Sequence, residues 1–240
     1  MEYCQGVRRT ATTANALLGL LALRPRWSTW DLTKQLRRNM RFFWPRVESR
    51  IYDEARTLVE RGLARDRRAY TGRRARTEYA ITAKGRRELH RWLATPPRAT
   101  NLECEPLLRV FLGDLGTSEQ LMVAIDQVRA DGDAILTVGR VVADEYLAGT
   151  APFQDQVHVR ALVFDFLSSH ALMLRAWADR AEEAVTAWPG LAPTERATRA
   201  QEAIAAGLAR YPPMSEPQRA ADSGVEAQHA ASAVDPSSST

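Results

Sequence analysis

Arginine carries most of the chemistry that this sequence offers. Of its 33 basic residues, 31 are arginine. Three of them, Arg73, Arg74 and Arg76, stand beside Gly72, where the sequence predicts a tight turn. Guanidinium groups this close repel one another unless an anion neutralises them, so phosphate is the predicted partner. Residues 1–100 hold 23 basic against 9 acidic side chains, whereas residues 101–240 hold 10 against 20. A basic module therefore precedes an acidic one.

The remaining reactive residues do not form a catalytic or metal-binding pattern. The sequence contains no nucleophile elbow, phosphate-binding glycine loop or zinc-protease motif. Two cysteines are too few for a disulfide framework, which favours a reducing cytoplasm. No apolar run approaches the eighteen or so residues of a membrane span. We therefore expect a binding protein of the cytoplasm, with no enzyme activity, metal, cofactor or membrane partner. Four histidines lie outside metal-ligand spacing: His90, His158, His170 and His229.

The elements that position the arginines follow from apolar periodicity and from helix-ending residues. Three helices are predicted first, and Ser28 is the expected N-cap of the second. Two strands then flank the arginine-rich turn, and a further helix ends before two prolines. This order is typical of a winged helix. The predicted elements are helices Thr13–Leu23, Thr29–Arg38 and Pro45–Arg61, strands Leu63–Tyr70 and Arg76–Thr82, and helix Lys84–Leu93.

The third helix presents a polar face opposite its apolar one. At one hundred degrees per residue, Arg46, Ser49 and Arg56 fall on that face, with Tyr52 at its margin and Arg50 on the other flank. We expect Arg46 and Ser49 to contact base edges and Arg50 and Tyr52 to hold phosphates. The alternative is an ordinary solvated helix face. The basic turn that follows favours DNA.

Beyond Pro97 the sequence predicts long helices, Thr117–Leu147 and Asp155–Ala187. Apolar residues recur along both at alternating spacings of four and three, which is typical of a narrow seam packed against another helix in the same or a second chain. We assign these seams to dimerisation. Three aromatic residues, Trp92, Phe164 and Trp177, either line an effector pocket or pack the core. The seam residues are Leu121, Ile125, Val128, Ile135, Val142, Val163, Leu167 and Leu174.

The expected fold is mainly α-helical with a small β-hairpin wing. An N-terminal arm (1–12) precedes a winged helix-turn-helix domain (13–97) and a helical dimerisation domain (98–190). The remainder, 191–240, contains one possible helix and then a tail poor in large apolar residues, which predicts disorder.

Residues 14–95 resemble the PadR-like family of winged-helix transcriptional regulators. The resemblance is carried by Trp30-Asp31-Leu32 at the second helix, Ile51-Tyr52 in the third, Gly72-Arg73-Arg74 at the turn, and Tyr79-Ala80-Ile81-Thr82 with Gly85 after it. The segment Glu105-Pro106-Leu107-Leu108-Arg109 is similar to the entry of the family's larger, virulence-regulator-like branch. The resemblance implies a phosphate-contacting role for Tyr52, a DNA-binding wing with Arg73, Arg74 and Arg76, and a helical homodimer.

The function expected on these grounds is sequence-specific regulation of transcription. A homodimer would bind a palindromic operator as a repressor, and a small aromatic or drug-like effector would release it. The alternative is a winged helix that docks a protein and leaves DNA alone.

Overall fold

The computed structural model describes residues 2–45, 51–71 and 74–212. It is mainly α-helical with a small sheet, as predicted. The chain forms two compact units, residues up to Ala178 and residues from Asp179 onwards. The helices are α1 (Glu2–Leu23), α2 (Thr29–Asn39), α3 (Ile51–Glu60), α4 (Ala83–Leu93), α5 (Glu105–Phe111), α6 (Ser118–Leu147), α7 (Val157–Ala187) and α8 (Pro193–Leu208), and the strands are β1 (Trp27–Ser28), β2 (Ala64–Thr71) and β3 (Arg74–Ile81).

The first helix begins earlier than expected. The sequence placed an arm at residues 1–12, whereas α1 extends from Glu2 to Leu23. No proline interrupts this stretch, and its two glycines, Gly6 and Gly19, are isolated, so nothing in the segment ends a helix before Leu23. Arg24-Pro25 follows the helix and closes it.

The cap predicted for α2 is present. The Ser28 hydroxyl accepts a hydrogen bond from the Asp31 amide at 3.2 Å and donates one to the Asp31 carboxylate at 2.7 Å. Ser28 also belongs to β1, a two-residue strand that the sequence analysis missed. It pairs with the middle of β3, opposite Glu78. The sheet is antiparallel with strand order β1-β3-β2.

The core of the winged helix lies between α1, α2, α3 and one face of the sheet. The junction of β3 and α4 closes it tightly. A side chain on Gly85 would put its Cβ 2.0 Å from the Leu63 carbonyl oxygen, so only glycine fits there. The Thr82 hydroxyl caps α4 by accepting from the Gly85 amide at 3.0 Å. The largest fully buried side chains of this core are Leu17, Leu18, Leu20, Leu21, Trp27, Leu32, Leu36, Ile51 and Leu58.

The two long helices pack closely at Gly132 of α6. A Cβ there would lie 2.9 Å from the Ala171 carbonyl oxygen of α7, so the absence of a side chain permits the approach. Asp133 and Arg175 form an ion pair across the same contact at 3.2 Å. The predicted capping box at Thr117 is present and fixes the start of α6.

The connection between α6 and α7 returns to the winged helix. Glu145, near the end of α6, pairs with Arg38 of α2. Phe153 packs against the N-terminal core, with its ring centroid 6.0 Å from that of Trp27. These contacts place the winged helix and the first part of α7 in one compact unit. The sequence analysis divided the chain after 97 and after 190, because it had no information on contacts between distant residues.

Candidate nucleic-acid interface

Helix α3 is anchored by its apolar face and presents polar groups outward. Ile51, Ala55 and Leu58 are buried, at 1%, 0% and 0% exposure. On the other side Tyr52 is 66% exposed, so its phenol is free to meet a ligand. Arg56 pairs with Asp53 at 3.0 Å, but both side chains are largely exposed. Exposed pairs of this kind are weak, so the guanidinium can exchange its partner for a phosphate.

Several residues expected at this interface lie outside the described part of the chain. These are Arg46, Ser49 and Arg50, before α3, and Arg73 at the turn. Of Arg74 the backbone is described, as the first residue of β3. Their assignment to bases and phosphates stays a prediction.

The wing is a regular hairpin from Ala64 to Ile81. Its register places Arg67 opposite Glu78 and Thr71 opposite Arg74, next to the turn. Because side chains on neighbouring residues of a strand point to opposite faces, the hairpin has two chemically different faces. The face that includes Ile81 closes the core near the base of the hairpin, and the other carries Arg65, Arg67 and Arg76.

Glu78 is the buried charge of the wing, with 8% exposure. Arg67 donates two hydrogen bonds to its Oε2, at 3.1 and 2.8 Å, and Arg76 donates one to its Oε1 at 2.7 Å. The hydrogen bonds from Arg67 lower the pKa of Glu78, burial partly offsets this effect, and the hydrogen bond from Arg76 lowers the pKa further. Glu78 is therefore a carboxylate at neutral pH. Arg76, predicted as a wing arginine, is held on the body of the hairpin by this contact.

Tyr79, on the core side of β3, links the sheet to α3. Burial raises the pKa of its phenol, and the nearby Asp66 carboxylate raises it further. Arg56 acts in the opposite direction. The phenol is therefore neutral at physiological pH and able to donate a hydrogen bond.

The sequence analysis missed part of this basic surface. A shallow pocket beside the hairpin includes three arginines that were not predicted as site residues. Arg65 and Arg67 stand two residues apart in β2, so strand periodicity alone places them on one face. Arg26 joins them because it precedes β1, and that strand was not predicted. The pocket is lined by Arg26, Arg65, Asp66, Arg67, Glu78, Tyr79 and Ala80.

Most seam residues assigned to dimerisation on α6 are buried within the single chain. Leu121, Ile125, Val128 and Ile135 have exposures of 6%, 1%, 3% and 7%. Packing within the single chain accounts for this burial, and the assignment of these side chains to dimerisation stays a prediction. Val142 is half-buried.

Helix α7 has a seam that is less buried than that of α6, and its assignment to dimerisation also stays a prediction. Its seam residues Leu167 and Leu174 are half-buried, and Val163 is 37% exposed. Four exposed apolar residues of α7 lie together on one side of the helix. We call this the α7 stripe: Val159, Leu162, Phe166 and Met173, with exposures of 52%, 72%, 62% and 51%.

The proposed pocket aromatics are distributed over two helices. Trp92 on α4 is 36% exposed, Phe164 on α7 is 40% exposed and Trp177 is half-buried. Among the described residues the aromatic ring pairs are Trp27 with Phe153 and Phe166 with His170. None of the three belongs to either pair, and the pocket stays a prediction.

By length and composition alone, the segment Gln154–Gly190 is long and apolar enough to cross a membrane. Within its apolar stretch of 18 residues, 6% of the residues are buried. The sequence analysis expected no such segment, because it counted uninterrupted apolar residues and this segment contains charges. A largely uncovered apolar helix needs a partner surface.

Comparison with known proteins points to one family. Residues 17–91 match the model of the transcriptional regulator PadR-like family, which confirms the resemblance drawn from the sequence. The negative transcriptional regulator PadR of Bacillus subtilis is 33% identical over 79 residues, which cover 32% of this chain and 43% of that protein. The match therefore spans less than half of the relative's length.

Solved structures extend the similarity to the helical part. Bacillus subtilis PadR in complex with operator DNA superposes with a TM-score of 0.55 at 20% identity, covering 70% of this chain and 98% of PadR. The same protein in complex with p-coumaric acid gives a TM-score of 0.55 at 20% identity over 74% and 97% of the two chains. The Vibrio cholerae virulence activator AphA gives 0.53 at 19% identity over 75% and 99%. At these identities the comparisons establish the fold, a winged helix followed by long helices.

Proposed function

We propose that this PadR-like chain is a transcriptional regulator that binds duplex DNA through its winged helix. The observation that carries the proposal is the joint exposure of α3 and an arginine-rich wing on one module that matches the family model. Tyr52 and Arg56 lie on the open face of α3, where a major groove would receive them. Arg46 and Ser49 complete the base-reading set, and Arg50, Arg73, Arg74 and Arg76 contact phosphates. Action on chromosomal DNA would place the protein in the cytoplasm.

The regulator acts as a homodimer, and the α7 stripe is the surface that a second copy covers. Four large apolar side chains on one side of a helix form a patch that a monomer rarely leaves in water. Asp165 and Arg175 lie on the same helix, and charges there disfavour a lipid environment. A two-fold dimer would hold two copies of α3 about one helical turn of DNA apart and would select a palindromic operator.

The relatives support a direction of regulation and an effector for this chain. The curated relative is a negative regulator, and repression is the direction we propose. Its structure with p-coumaric acid supports a small aromatic effector for this chain as well. Trp92, Phe164 and Trp177 are the side chains we propose for that pocket. An effector that moves α6 and α7 would change DNA affinity by linkage.

The experiment is a titration of the full chain against labelled duplex from its own upstream region and against a shuffled duplex, at several salt concentrations. At least a thousandfold preference for the upstream duplex is expected of a specific regulator that binds there. Equal, steeply salt-dependent binding to both would locate the operator elsewhere. No binding to either duplex at low salt would refute the proposal and favour the protein-docking module.

A matched pair of variants assigns the contact to the wing. Replacing Arg73, Arg74 and Arg76 by alanine should reduce the slope of log K against log salt by up to about 2.7, at about 0.9 per phosphate contact. The control removes the same charge from α5 and α8 and should leave the slope unchanged. Equal slopes for both variants would show that the wing does not meet DNA. The control residues are Arg109, Arg196 and Arg199.

A further inference from the structure

The outer face of the sheet, meaning the face turned away from the core, carries a second set of guanidinium groups. Pairing of β2 with β3 sets Arg67 opposite Glu78, Arg65 opposite Ala80 and Ala69 opposite Arg76. All of these positions share one face, because residues two apart in a strand point the same way. The opposite face carries the pair Ala64 and Ile81, which is buried in the core.

Four arginines surround one carboxylate at this place. Arg26 and Arg65 are exposed and line the shallow pocket together with Arg67. Arg76 joins them through Glu78, to which both Arg67 and Arg76 are bound. Asp66 lines the same pocket but belongs to the other face of β2, opposite Tyr79, so four arginines and Glu78 give the outer face a net charge of +3. An uncompensated basic surface of this kind attracts a polyanion.

Glu78 is placed so that it holds two arginine side chains in position, and it is not an isolated surface charge. Each of its carboxylate oxygens accepts from a different arginine, and its side chain is 10% exposed. The two arginines themselves remain about half exposed, at 51% and 48%. A guanidinium has five N–H donors, and each arginine spends one or two on Glu78. The others stay available at fixed positions.

Fixing these side chains in advance matters for binding. A free arginine side chain loses rotamer freedom when it contacts a phosphate, and an arginine that is already held loses less. An acidic residue inside a DNA-binding wing would otherwise oppose binding, since it repels phosphates. Its position between two arginines turns that charge into a means of orienting them.

We infer that Glu78 is a positioning residue for a second phosphate-binding surface, formed on the outer face of the sheet by Arg26, Arg65, Arg67 and Arg76, which contacts the phosphodiester backbone of duplex DNA beside the wing. This inference rests on the proposed function, and it assigns the outer face to the same polyanion as the turn.

The test is Glu78→Gln in the full chain. If Glu78 only repels phosphates, the variant should bind DNA more tightly, and if Glu78 positions the arginines, the variant should bind DNA more weakly. Removal of a negative charge near DNA should by itself raise affinity. Loss of the anchor should instead lower affinity several-fold at constant salt, and Glu78→Asp should recover part of it. Glu88→Gln is the matched control, because Glu88 also pairs with an arginine of the module, Arg91, but on α4. It should not weaken binding.

A second variant keeps the inference testable should Glu78→Gln lower the thermal midpoint of unfolding. Arg26→Ala with Arg65→Ala leaves the Glu78 ion pairs intact. It should reduce the salt slope by about 1.8, at about 0.9 for each lost phosphate contact. An unchanged slope, or Glu78→Gln binding as tightly as the parent, overturns the inference while the proposed function stands. Failure of the parent protein to bind any duplex overturns both.

Discussion

Phe153 provides the sharpest test of how the helical part is joined to the winged helix. It lies in the connection between α6 and α7, yet it packs against the N-terminal core beside Trp27. The Arg160 guanidinium lies 5.8 Å from its ring centroid and covers it from α7. The perturbation is Phe153→Ala, which removes the ring and leaves the backbone in place.

The expected loss follows from the partial burial of the ring. Truncation of a fully buried phenylalanine to alanine costs about 3–5 kcal/mol, through lost transfer energy and the cavity left behind. Phe153 is half-buried, so roughly half of that, about 2 kcal/mol, is expected. For a chain of this length, that loss lowers the midpoint of thermal unfolding by about 4–8 °C.

The backbone of Phe153 allows a second comparison at the same position. Its φ of 63° is left-handed, a conformation that costs a residue with a side chain about 1 kcal/mol and glycine almost nothing. Phe153→Gly loses the same ring as Phe153→Ala but relieves this strain. Glycine also makes the unfolded chain more flexible, which offsets part of the gain. The glycine variant should therefore be no less stable than the alanine variant.

Thermal unfolding followed by circular dichroism measures both variants. Phe111→Ala is the control, because Phe111 is 83% exposed in the single chain. The reasoning is refuted if Phe153→Ala shifts the midpoint no more than this control does. The same result would mean that Phe153 contributes nothing to holding the helical part against the winged helix.

Three further predictions concern the long helices. Phe166→Glu should yield monomers in sedimentation equilibrium, because it puts a charge into the α7 stripe. Val141→Glu, also at an exposed position, should leave the dimer intact. Monomers from both variants, or from neither, would show that the α7 stripe is not the dimer interface. Gly132→Val should lower the free energy of unfolding by about 1–3 kcal/mol, the usual cost of overpacking, because its Cβ would meet the Ala171 carbonyl oxygen at 2.9 Å. An unchanged unfolding midpoint would contradict the close approach of α6 and α7. The hydrogen bond from Arg38 lowers the pKa of Glu145 in the folded chain. The ionised carboxylate therefore stabilises the fold at pH values above the pKa of Glu145 in the unfolded chain. This stabilisation is lost as the pH falls through the lower pKa of the folded chain. Midpoints measured from pH 7 to pH 3 should therefore fall more steeply for the parent than for Glu145→Gln, and parallel curves would contradict the pairing.

Local signals in the sequence predicted the elements that depend on neighbouring residues. The Ser28 cap, the Thr117 capping box and the wing hairpin rest on hydrogen bonds within a few residues of each other, so their residue types indicate them directly. The strand β1 was missed because two residues carry no periodicity. Its existence depends on the pairing of Ser28 with Glu78, fifty positions later, which no local pattern contains.

The seams show a different limit. Spacing identified Ile125 and Val128 as residues that pack against a helix, and their burial agrees with that. Spacing is silent on which chain supplies the helix, because knobs-into-holes packing has the same period within and between chains. Gly132 in the α6 seam was the residue whose type indicated where another helix comes close. A glycine at the point of contact permits the close approach that it makes here with α7 of the same chain.

The wing shows why a count of charges is a weaker guide than their pairing. The sequence predicted anion binding from three closely spaced arginines, Arg73, Arg74 and Arg76, and it gave Glu78 no role. In the folded hairpin the cross-strand partner of Arg67 is Glu78, and Arg76 reaches the same carboxylate from two residues away. A count of charges only subtracts one unit from the positive charge of the surface for this glutamate. The register instead makes it the point that fixes two arginines, so its removal should weaken DNA binding although the protein becomes more positive.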